Sequence, residues 1–380
     1  MNRIGVFVFY DERGFVDDYV CYLLNSIQEI VKRLIIITNG IVKNFGYEKL
    51  KQYSDTIFVR ENYGYDAGAY KDLFTNFLSD EKWEKWDEII LFNDTFYGPV
   101  YSWKEVFKKM AKEEVDFWGL SRHPGGGGRL MNGRVLPQHI QSYFLVCKRS
   151  LFLSSCWRRF WNALEYPKTY HEAVEKFEIY FSEYFTEKGY QSKAFSDRKN
   201  IDIAYGRDPC ICCFYSLIKD GMFPIIKKKA VCLENLSKMK MIVDYIKKCS
   251  GYNIELIGLN MRRLCKEKRV NPLAPFNLAF LDQFYNQYQR VFIYGHGNYG
   301  KGIAEYFRYK GWKLDGFVVT CNAEKDPDVL VYKDIRFGSE DGIILALGEK
   351  AFYEVYPMVI KDLNTEQLCC PSCYQIGSVE

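Results

Sequence analysis

Short apolar runs alternate with amphipathic stretches through the first half of the chain, and each run ends in polar residues or glycine. Short apolar runs bounded in this way are typical of buried strands. They predict six strands, over residues 4–10, 34–38, 56–59, 89–92, 116–120 and 140–148. Apolar side chains at helical spacing predict helices over 16–31 and 172–188. This alternation of strands and helices indicates a mostly parallel sheet covered by helices, so the predicted fold class is α/β.

A second strand–helix–strand pattern begins near residue 290, with further strands predicted at 317–320 and 343–347. Before it, residues 242–269 have helical spacing, and Pro272 and Pro275 then resist helix formation. We therefore predict three segments, listed in order: a first domain over 1–270, a linker and helix over 271–288, and a small Rossmann-like α/β domain over 289–380.

Composition excludes some classes of function. The formal net charge of the 380 residues is +4, which is too small to indicate a nucleic-acid-binding protein. The 13 cysteines are odd in number and the first predicted strand begins at once, so we expect reduced thiols in a cytoplasmic protein. The basic runs 227–229 and 262–269 are typical of solvated faces, with contact to phosphates or to an anionic membrane surface as the alternative.

Two predicted strands end in residues that suit a sugar-nucleotide pocket. Asn62, Gly64, Asp66 and Lys71 follow the third strand. The fourth strand is followed by three consecutive polar residues, Asn93, Asp94 and Thr95. Ligands of α/β sheets bind at the carboxyl ends of strands, where a carboxylate can hold a metal, a lysine can meet phosphate and a glycine lets backbone approach. For Lys71, an ion pair with Asp66 or Asp72 is the alternative.

Several segments together resemble the rhamnan synthesis protein F family, over roughly residues 1–270. They are NYGYDAGAYK at 62–71, NDTFYGP at 93–99, FWG at 117–119, HIQSYFL at 139–145 and the helix that runs from Glu178 to Gly189 and Tyr190. The resemblance implies a bacterial glycosyltransferase of rhamnose-containing surface polysaccharides. It also implies a glycosyltransferase A-type fold, in which a nucleotide-binding sheet is joined to an acceptor-binding half.

That fold normally carries an Asp-x-Asp motif whose carboxylates bind Mg²⁺ or Mn²⁺ across the donor diphosphate. This chain has Asn93-Asp94-Thr95 at the corresponding place, with a single carboxylate. The first hypothesis is that Asp94 ligates Mg²⁺ or Mn²⁺ with help from the Asn93 oxygen. The second is that Asp94 binds the donor sugar without a metal, and the third is that the pair only forms a turn.

The resemblance also implies catalytic and binding roles for other residues. It places the general base of an inverting reaction at Glu178, with Glu172, Glu175 and Glu183 of the same helix as competitors. The remaining predicted donor-site residues are Tyr10, Asp11 and Asn39, for base and ribose, and His139 and Gln141, for donor sugar or acceptor. For Asp11 a loop or capping role is the alternative, and for His139 a structural one.

Gly295, Gly297 and Gly300 follow a predicted strand and open a predicted helix, which is the setting of a dinucleotide-binding loop. The acidic residue expected at the end of the next strand is replaced by Thr320-Cys321-Asn322. The loop is therefore predicted to bind another phosphate compound or to allow close packing of helix on strand.

The favoured hypothesis is an inverting glycosyltransferase. It would move L-rhamnose from dTDP-rhamnose to a growing cell-surface polysaccharide, on a glycan or lipid-linked glycan acceptor. No apolar run reaches the length of roughly 18 residues that a membrane span needs, so we expect at most peripheral association with the inner face of the cell membrane. The alternative is a non-catalytic nucleotide-sugar-binding or assembly protein of polysaccharide synthesis. A third hypothesis is a nucleotide-sugar oxidoreductase built around Gly295–Gly300.

Overall fold

The computed structural model describes most of the chain. The described residues are 1–78, 81–125, 130–196, 208–212, 214–233, 236–266, 279–321, 327–347 and 349–369. They form two compact units, Met1–Ala230 and Val231–Glu380.

An eight-stranded mixed sheet forms the centre of the first unit. The strands of this unit are β1 Arg3–Phe9, β2 Arg33–Asn39, β3 Thr56–Arg60, β4 Glu88–Asn93, β5 Phe96–Tyr97, β6 Phe117–His123, β7 His139–Ile140, β8 Phe144–Lys148, β9 Ser192–Ser196 and β10 Ile226–Lys227. The order is β3-β2-β1-β4-β8-β6-β7, with β9 beside β6, while β5 and β10 form a separate pair. Strands β1 to β4 are parallel, and β8 runs antiparallel to β4.

Helices cover this sheet. They are α1 Asp18–Ile27, α2 Asn44–Lys51, α3 Tyr65–Asp72, α4 Trp103–Met110, α5 Arg149–Phe152, α6 Ser155–Ala163, α7 Tyr170–Ala173, α8 Tyr180–Glu187, α9 Pro209–Cys212 and α10 Phe214–Gly221. Three shorter helical segments accompany them, Leu73–Phe77, Trp83–Lys85 and Val174–Ile179. Side chains on both faces of the central strands are buried, which explains why β1 and β4 are continuous apolar runs without polar alternation.

Many of the aromatic side chains lie in the core of this unit. Trp157 and Trp161 of α6 pack at ring-centroid distances of 5.7–6.1 Å against the rings of Phe177, Phe181 and Phe185. All five side chains are almost fully buried. The aromatic content of the chain therefore supplies packing area here, since each such ring buries a large apolar surface.

The structure confirms the predicted α/β class and corrects one element. The segment 140–148 was predicted as one strand, and that prediction is wrong: β7 ends at Ile140 and β8 begins at Phe144. The turn between them exists because the backbone N–H of Ser142 donates to the carboxylate of Glu178 at 2.7 Å instead of to a neighbouring strand. The predicted helix 172–188 contains a π-helical segment at Val174–Ile179, which includes Glu178.

A five-stranded parallel sheet forms the second unit. Its strands are β11 Arg290–Tyr294, β12 Gly316–Val319, β13 Val329–Val331, β14 Asp341–Leu345 and β15 Leu368–Cys369, in the order β13-β12-β11-β14-β15. The remaining helices of the chain are α11 Lys228–Leu233, α12 Leu236–Cys249, α13 Glu255–Lys266, α14 Ala279–Gln287, α15 Asn298–Lys310 and α16 Glu349–Val359, with short turns of helix at Tyr332–Asp334 and Thr365–Gln367. This is the Rossmann-like α/β arrangement that was predicted for the C-terminal part.

The domain boundaries remain a prediction. The compact second unit begins at Val231, upstream of the predicted boundary at residue 270, because α12 lies against α15 within that unit. Residues 271–278 of the predicted linker lie outside the described residues.

We expect Gly300→Ala to lower the stability of the second unit and Gly297→Ala to leave it unchanged. A Cβ atom at Gly300 would overlap the carbonyl oxygen of Gly295, which is backbone and cannot move cheaply, and such overpacking costs about 1–3 kcal/mol. A Cβ atom at Gly297 would meet nothing within 4 Å. Chemical denaturation of both variants measures the difference. Equal free energies of unfolding would show that Gly300 is not needed for close packing of α15 on β11.

Candidate active site

The carboxyl ends of β1, β2, β3 and β4 meet at one edge of the large sheet, because these strands are parallel. Asn93, the last residue of β4, is in register with Val8 of β1. Asn39, the last residue of β2, is in register with Arg60 of β3. The polar residues that follow β3 and β4 therefore lie at the edge where ligands of such sheets bind.

Asn93 links the end of β4 to the start of α3. Its side-chain amide donates to the carboxylate of Asp66 at 2.9 Å, and its amide oxygen accepts from the hydroxyl of Thr95 at 2.7 Å. Burial raises the pKa of Asp66, and the Asn93 hydrogen bond opposes that shift. A carboxylate in place of the Asn93 amide would lie beside the Asp66 carboxylate, and the two negative charges would repel each other. This accounts for an amide at the first position of the Asn-Asp-Thr motif.

Glycine fixes the backbone in front of Asp66. Gly64 has φ +79° at the residue that precedes α3, a conformation that glycine adopts without strain. A Cβ atom at Gly68 would overlap the carbonyl oxygen of Tyr63, so the turn can fold tightly onto the first turn of α3 only with glycine there. The Asp66 carboxylate also accepts from the backbone N–H of Ala67 at 2.9 Å, which holds it at the helix start.

Asp94 lies beside a lysine that is remote in sequence. Its Oδ2 atom accepts from the ammonium of Lys228 at 2.9 Å and from the hydroxyl of Tyr19 at 3.3 Å. Lys228 also donates to the Tyr19 hydroxyl at 2.5 Å. The exposed fractions of the two charged side chains are 13% for Asp94 and 22% for Lys228, so the ion pair is largely withdrawn from water.

A second lysine, Lys227, lies on the other side of Thr95. Its ammonium donates to the Thr95 hydroxyl at 2.8 Å and lies 4.0 Å from the centre of the Tyr143 ring, a cation–π distance. Both lysines are positioned by the pairing of β10 with β5, in which Lys227 is opposite Phe96. Because neighbouring side chains of a strand point to opposite faces, burial of Ile226 turns Lys227 toward the site.

Glu178 anchors the turn between β7 and β8. Its Oε2 atom accepts from both the backbone N–H and the hydroxyl of Ser142 at 2.7 Å. Its Oε1 atom lies 3.4 Å from Nε2 of His139. Burial alone would raise the pKa of Glu178, but the hydrogen bond and charge of His139 and the bonds from Ser142 lower it to about 2.

His139 and His123 form a buried stacked pair. Their rings are 5.1 Å apart and 5° from parallel. Burial opposes the charged form of His139, yet Glu178 raises its pKa above the ordinary value. Burial and the neighbouring His139 both lower the pKa of His123. This arrangement favours one imidazolium, on His139, facing the Glu178 carboxylate.

A buried network continues from Gln141. The side chain of Gln141 accepts from Ser121 at 2.6 Å and donates to Asp208 at 3.0 Å. Asp208, in turn, accepts from the backbone N–H of Cys210 at 2.8 Å.

Acidic groups from several parts of the site act on the ammonium of Lys227. Burial lowers the pKa of Lys227, and four groups oppose that shift, in decreasing order Asp208, Cys210, Glu178 and Asp66. Carboxylates from β3–α3, from the π-helical segment and from the start of α9 therefore act on one ammonium. The arrangement can bind the anionic group of a ligand at the lysines and the neutral hydroxyl groups of the same ligand at the surrounding carboxylates.

Residues 34–326, more than half of the chain, match the model of the family described as Rhamnan synthesis protein F. This chain belongs to the rhamnan synthesis protein F family. The membership supports glycosyltransferase activity, and together with the mixed sheet it agrees with the expected glycosyltransferase A-type fold. No curated protein sequence matches the chain.

Solved structures with partial similarity include three transferases or synthases. Core-mannan synthase A of Aspergillus fumigatus in its Mn/GDP form has 8% identity and a TM-score of 0.30, over 46% of this chain and 68% of that chain. The 4-diphosphocytidyl-2C-methyl-D-erythritol synthase of Anaerococcus prevotii has 10% identity and a TM-score of 0.31, over 51% and 86%. The mannosyltransferase Ktr4p of S. cerevisiae in complex with GDP has 8% identity and a TM-score of 0.30, over 47% and 66%.

In this rhamnan synthesis F protein, the Lys71 side chain is engaged by the end of α6. Its ammonium donates to the carbonyl oxygens of Trp161, Asn162 and Leu164 at 2.7–3.0 Å and so caps the end of α6. Among the described residues Lys71 makes no ion pair with Asp66 or Asp72, and its role at a phosphate stays a prediction.

The predicted donor-site residues Tyr10, Asp11, Asn39 and Asn62 differ in burial and in hydrogen bonding. Asn39 is buried and uses its side chain within the protein, accepting from Arg60 at 2.7 Å and donating to the carbonyl of Tyr65 at 2.9 Å. Asp11 accepts from two backbone N–H groups of its own loop, in agreement with the alternative capping role. Tyr10 and Asn62 are exposed. Their roles as donor ligands stay predictions.

Four residues of the site were not among the predicted site residues: Lys227, Lys228, Asp208 and Ser142. For the two lysines, contact with phosphates was only the alternative. The run Lys227-Lys228-Lys229 was visible, but a basic run is usually a solvated face. The signal that could have singled it out is the apolar segment that precedes it, with Phe223, Ile225 and Ile226 buried. A lysine that directly follows a buried strand lies at a strand end, where the other candidate residues also lie.

The donor set does not fit the predicted Mg²⁺ or Mn²⁺ ion. A divalent ion at Asp94 would lie beside the ammonium of Lys228, which already neutralises that carboxylate, and the amide oxygen of Asn93 already accepts from Thr95. Within the described part of the chain, no group of three His, Cys, Asp or Glu side chains could hold a metal ion. Among the described residues, likewise, no helix is long and apolar enough to cross a bilayer.

The glycine loop of the second unit lies between β11 and α15, as predicted. Gly295 has φ +109°, and its carbonyl oxygen is the atom that a side chain at Gly300 would overlap. Close packing of helix on strand therefore accounts for two of the three glycines. Phosphate binding by Gly295, Gly297 and Gly300 stays a prediction.

Proposed function

We propose that this protein transfers a sugar from a nucleotide-sugar donor to a glycan or lipid-linked glycan acceptor. The observation that carries the proposal is the convergence of Asp66, Asn93, Asp94, Thr95 and Lys227 at the carboxyl edge of the sheet. For this member of the family we propose that the donor is dTDP-rhamnose and that L-rhamnose is transferred to a growing cell-surface polysaccharide. We also propose that the protein associates peripherally with the inner face of the cell membrane.

In the proposed reaction, an acceptor hydroxyl attacks the anomeric carbon of the donor sugar. A bond forms between the acceptor oxygen and that carbon, and the bond from the carbon to the diphosphate oxygen breaks. The acceptor proton passes to a carboxylate, and the nucleoside diphosphate leaves with the bonding electron pair. For an inverting reaction this carboxylate lies on the face opposite the leaving group.

Glu178 is the predicted base, and its surroundings make it a weak one. A carboxylate that is already stabilised by Ser142 and His139, with a pKa of about 2, takes up a proton poorly near pH 7. Its contacts favour the anchoring of the β7–β8 turn instead. The base role stays a prediction that the Glu178 variant decides.

A divalent cation at Asp94 is the first of the three hypotheses for this residue. The mannan synthase structure in its Mn/GDP form supports metal use in that protein. In this chain the contact between Lys228 and Asp94 argues for the metal-free alternative, so we assign no step of the reaction to a metal. Addition and removal of Mn²⁺ belong in every activity measurement.

The first experiment is a thermal-shift screen of dTDP-, UDP- and GDP-sugars against the full chain. A ligand that binds only the folded state stabilises it by about 2.7 kcal/mol at 100 times its dissociation constant, which raises the melting temperature. We expect dTDP-rhamnose to give the largest rise. A screen in which no nucleotide-sugar shifts the melting temperature, with or without Mn²⁺, would contradict the proposal.

A second candidate function is supported by the single carboxylate of the Asn-Asp-Thr motif and its ion pair with Lys228. These features also suit a non-catalytic nucleotide-sugar-binding protein. Hydrolysis of a bound donor, measured as release of the nucleoside diphosphate, distinguishes the two. A binding protein releases none.

A further inference from the structure

Lys227 differs from the other lysine of the site because no carboxylate of the described residues lies within ion-pair distance of it. Among the described residues, its ammonium has one hydrogen-bond partner, the neutral hydroxyl of Thr95, and it makes no ion pair within 4 Å. Lys228, one residue later, is held by Asp94 at 2.9 Å. Two adjacent lysines thus enter the same site with different degrees of neutralisation.

The position of Lys227 is built by its surroundings. The Tyr143 ring lies beneath the ammonium, and Tyr143 is itself fixed by a hydrogen bond between its hydroxyl and Ser121 at 2.6 Å. Thr95, which accepts from Lys227, donates to Asn93, which in turn donates to Asp66. The side chain is half-buried, and Asp208, Glu178 and Asp66 act on it from beyond ion-pair distance, so part of its solvation is lost without an ion pair among the described residues. A desolvated charge of this kind costs free energy unless a counter-charge binds.

We infer that Lys227 is the cation that binds the diphosphate of the donor, in the place where a divalent metal would otherwise act. The inference rests on the proposed function. Its chemical basis is that a diphosphate leaving group needs positive charge at the end of β4, and that the cation lying there is an ammonium. A charge-assisted hydrogen bond from Lys227 to a phosphate oxygen would strengthen as the leaving group gains negative charge.

Lys228 takes a different part in this arrangement. By holding Asp94 it keeps that carboxylate from repelling the diphosphate, and it neutralises the charge that would attract a metal ion there. Metal-independent binding of the nucleoside diphosphate follows from these two contacts. Lys229, the next residue, is exposed and serves as a matched control of the same type and nearly the same position.

The test is calorimetric titration of the full chain with dTDP, UDP and GDP in EDTA, followed by the corresponding monophosphate of the nucleotide that binds best. We expect wild-type protein to bind the diphosphate without metal. Lys227→Met should weaken diphosphate binding about 10- to 100-fold and monophosphate binding much less, because a hydrogen bond to a charged group is lost at one phosphate. Lys229→Met should bind as wild type does.

Two further variants keep the test decisive if Lys227→Met folds poorly. Lys227→Gln can keep the hydrogen bond to Thr95 while losing the charge, and Lys227→Arg keeps the charge. We expect the glutamine variant to behave as the methionine variant does and the arginine variant to retain most of the affinity. Melting temperatures of all variants, measured without ligand, separate folding from binding.

Three outcomes would overturn the inference. Unchanged diphosphate affinity in Lys227→Gln removes Lys227 from the site. Diphosphate binding by the wild type that requires Mn²⁺ or Mg²⁺ returns the charge to a metal. Absence of diphosphate binding under all conditions contradicts the proposed function as well, whereas the first two outcomes leave the proposed function standing.

Discussion

Asp94→Ala is expected to lower sugar transfer at least about 100-fold while the first unit still folds. The variant loses a charged acceptor at the end of β4 and leaves the Lys228 ammonium without its partner. In the metal-free hypothesis the Asp94 carboxylate accepts hydrogen bonds from the donor sugar. Hydrogen bonds to charged groups contribute about 1.5–3 kcal/mol each, and the loss of two such bonds in the transition state gives a rate effect of this size. Single-turnover transfer assays measure it, with donor affinity determined alongside.

Two controls accompany the Asp94 variant. Asp55→Ala removes an exposed carboxylate at the opposite end of the sheet and should leave transfer unchanged. Asp94→Asn keeps the size of the side chain and loses the charge, so it separates charge from shape. Wild-type turnover in Asp94→Ala would mean that the donor site lies elsewhere.

Glu178→Gln is expected to destabilise the first unit by up to about 3 kcal/mol at pH 6. The carboxylate pKa falls from its ordinary value of 4.5 to about 2 in the folded protein, and one pKa unit corresponds to about 1.4 kcal/mol. With an exposed fraction of 16%, the side chain is largely shielded from solvent. Because the folded-state pKa is lowered, this stabilisation is present above about pH 4.5 and is lost as the pH falls toward 2.

The pH dependence makes the Glu178 prediction specific. Denaturant unfolding of wild type and variant should differ most at pH 6, and the difference should shrink below about pH 4.5. Glu187→Gln, at an exposed position on α8, is the control and should match wild type throughout. If Glu178→Gln instead keeps its stability and loses about 10²–10⁴-fold in the chemical step, Glu178 is the general base.

The stabilisation that His139 contributes depends on pH in the opposite direction. Its folded-state pKa is raised by Glu178, so its stabilisation is fully present below the ordinary value of 6.5 and is lost as the pH rises through the raised value. Together the pair stabilises the β7–β8 turn most strongly in mildly acidic solution. This is an expectation for wild type that the same denaturation series also reports.

The sequence by itself determined the α/β class and the places where the central strands end. Buried parallel strands are continuous apolar runs, and such runs are a local property of the chain. The four predicted parallel strands therefore agree with β1 to β4 to within one or two residues at each end. Asp66, Asn93, Asp94 and Thr95 followed directly, since strand ends and ligand sites coincide in these sheets.

The tertiary structure alone decided which partners those residues meet. Asp94 and Lys228 are 134 residues apart, and only the pairing of β5 with β10 brings them together. Lys71 is near Asp66 in sequence, yet the packing of α3 beside α6 directs its ammonium to the carbonyl of Trp161. Hydrophobic periodicity encodes which face of an element is buried but not which distant element covers it. For this reason the carboxylates that follow β3 and β4 could be found from the sequence, and the lysines that lie beside them could not.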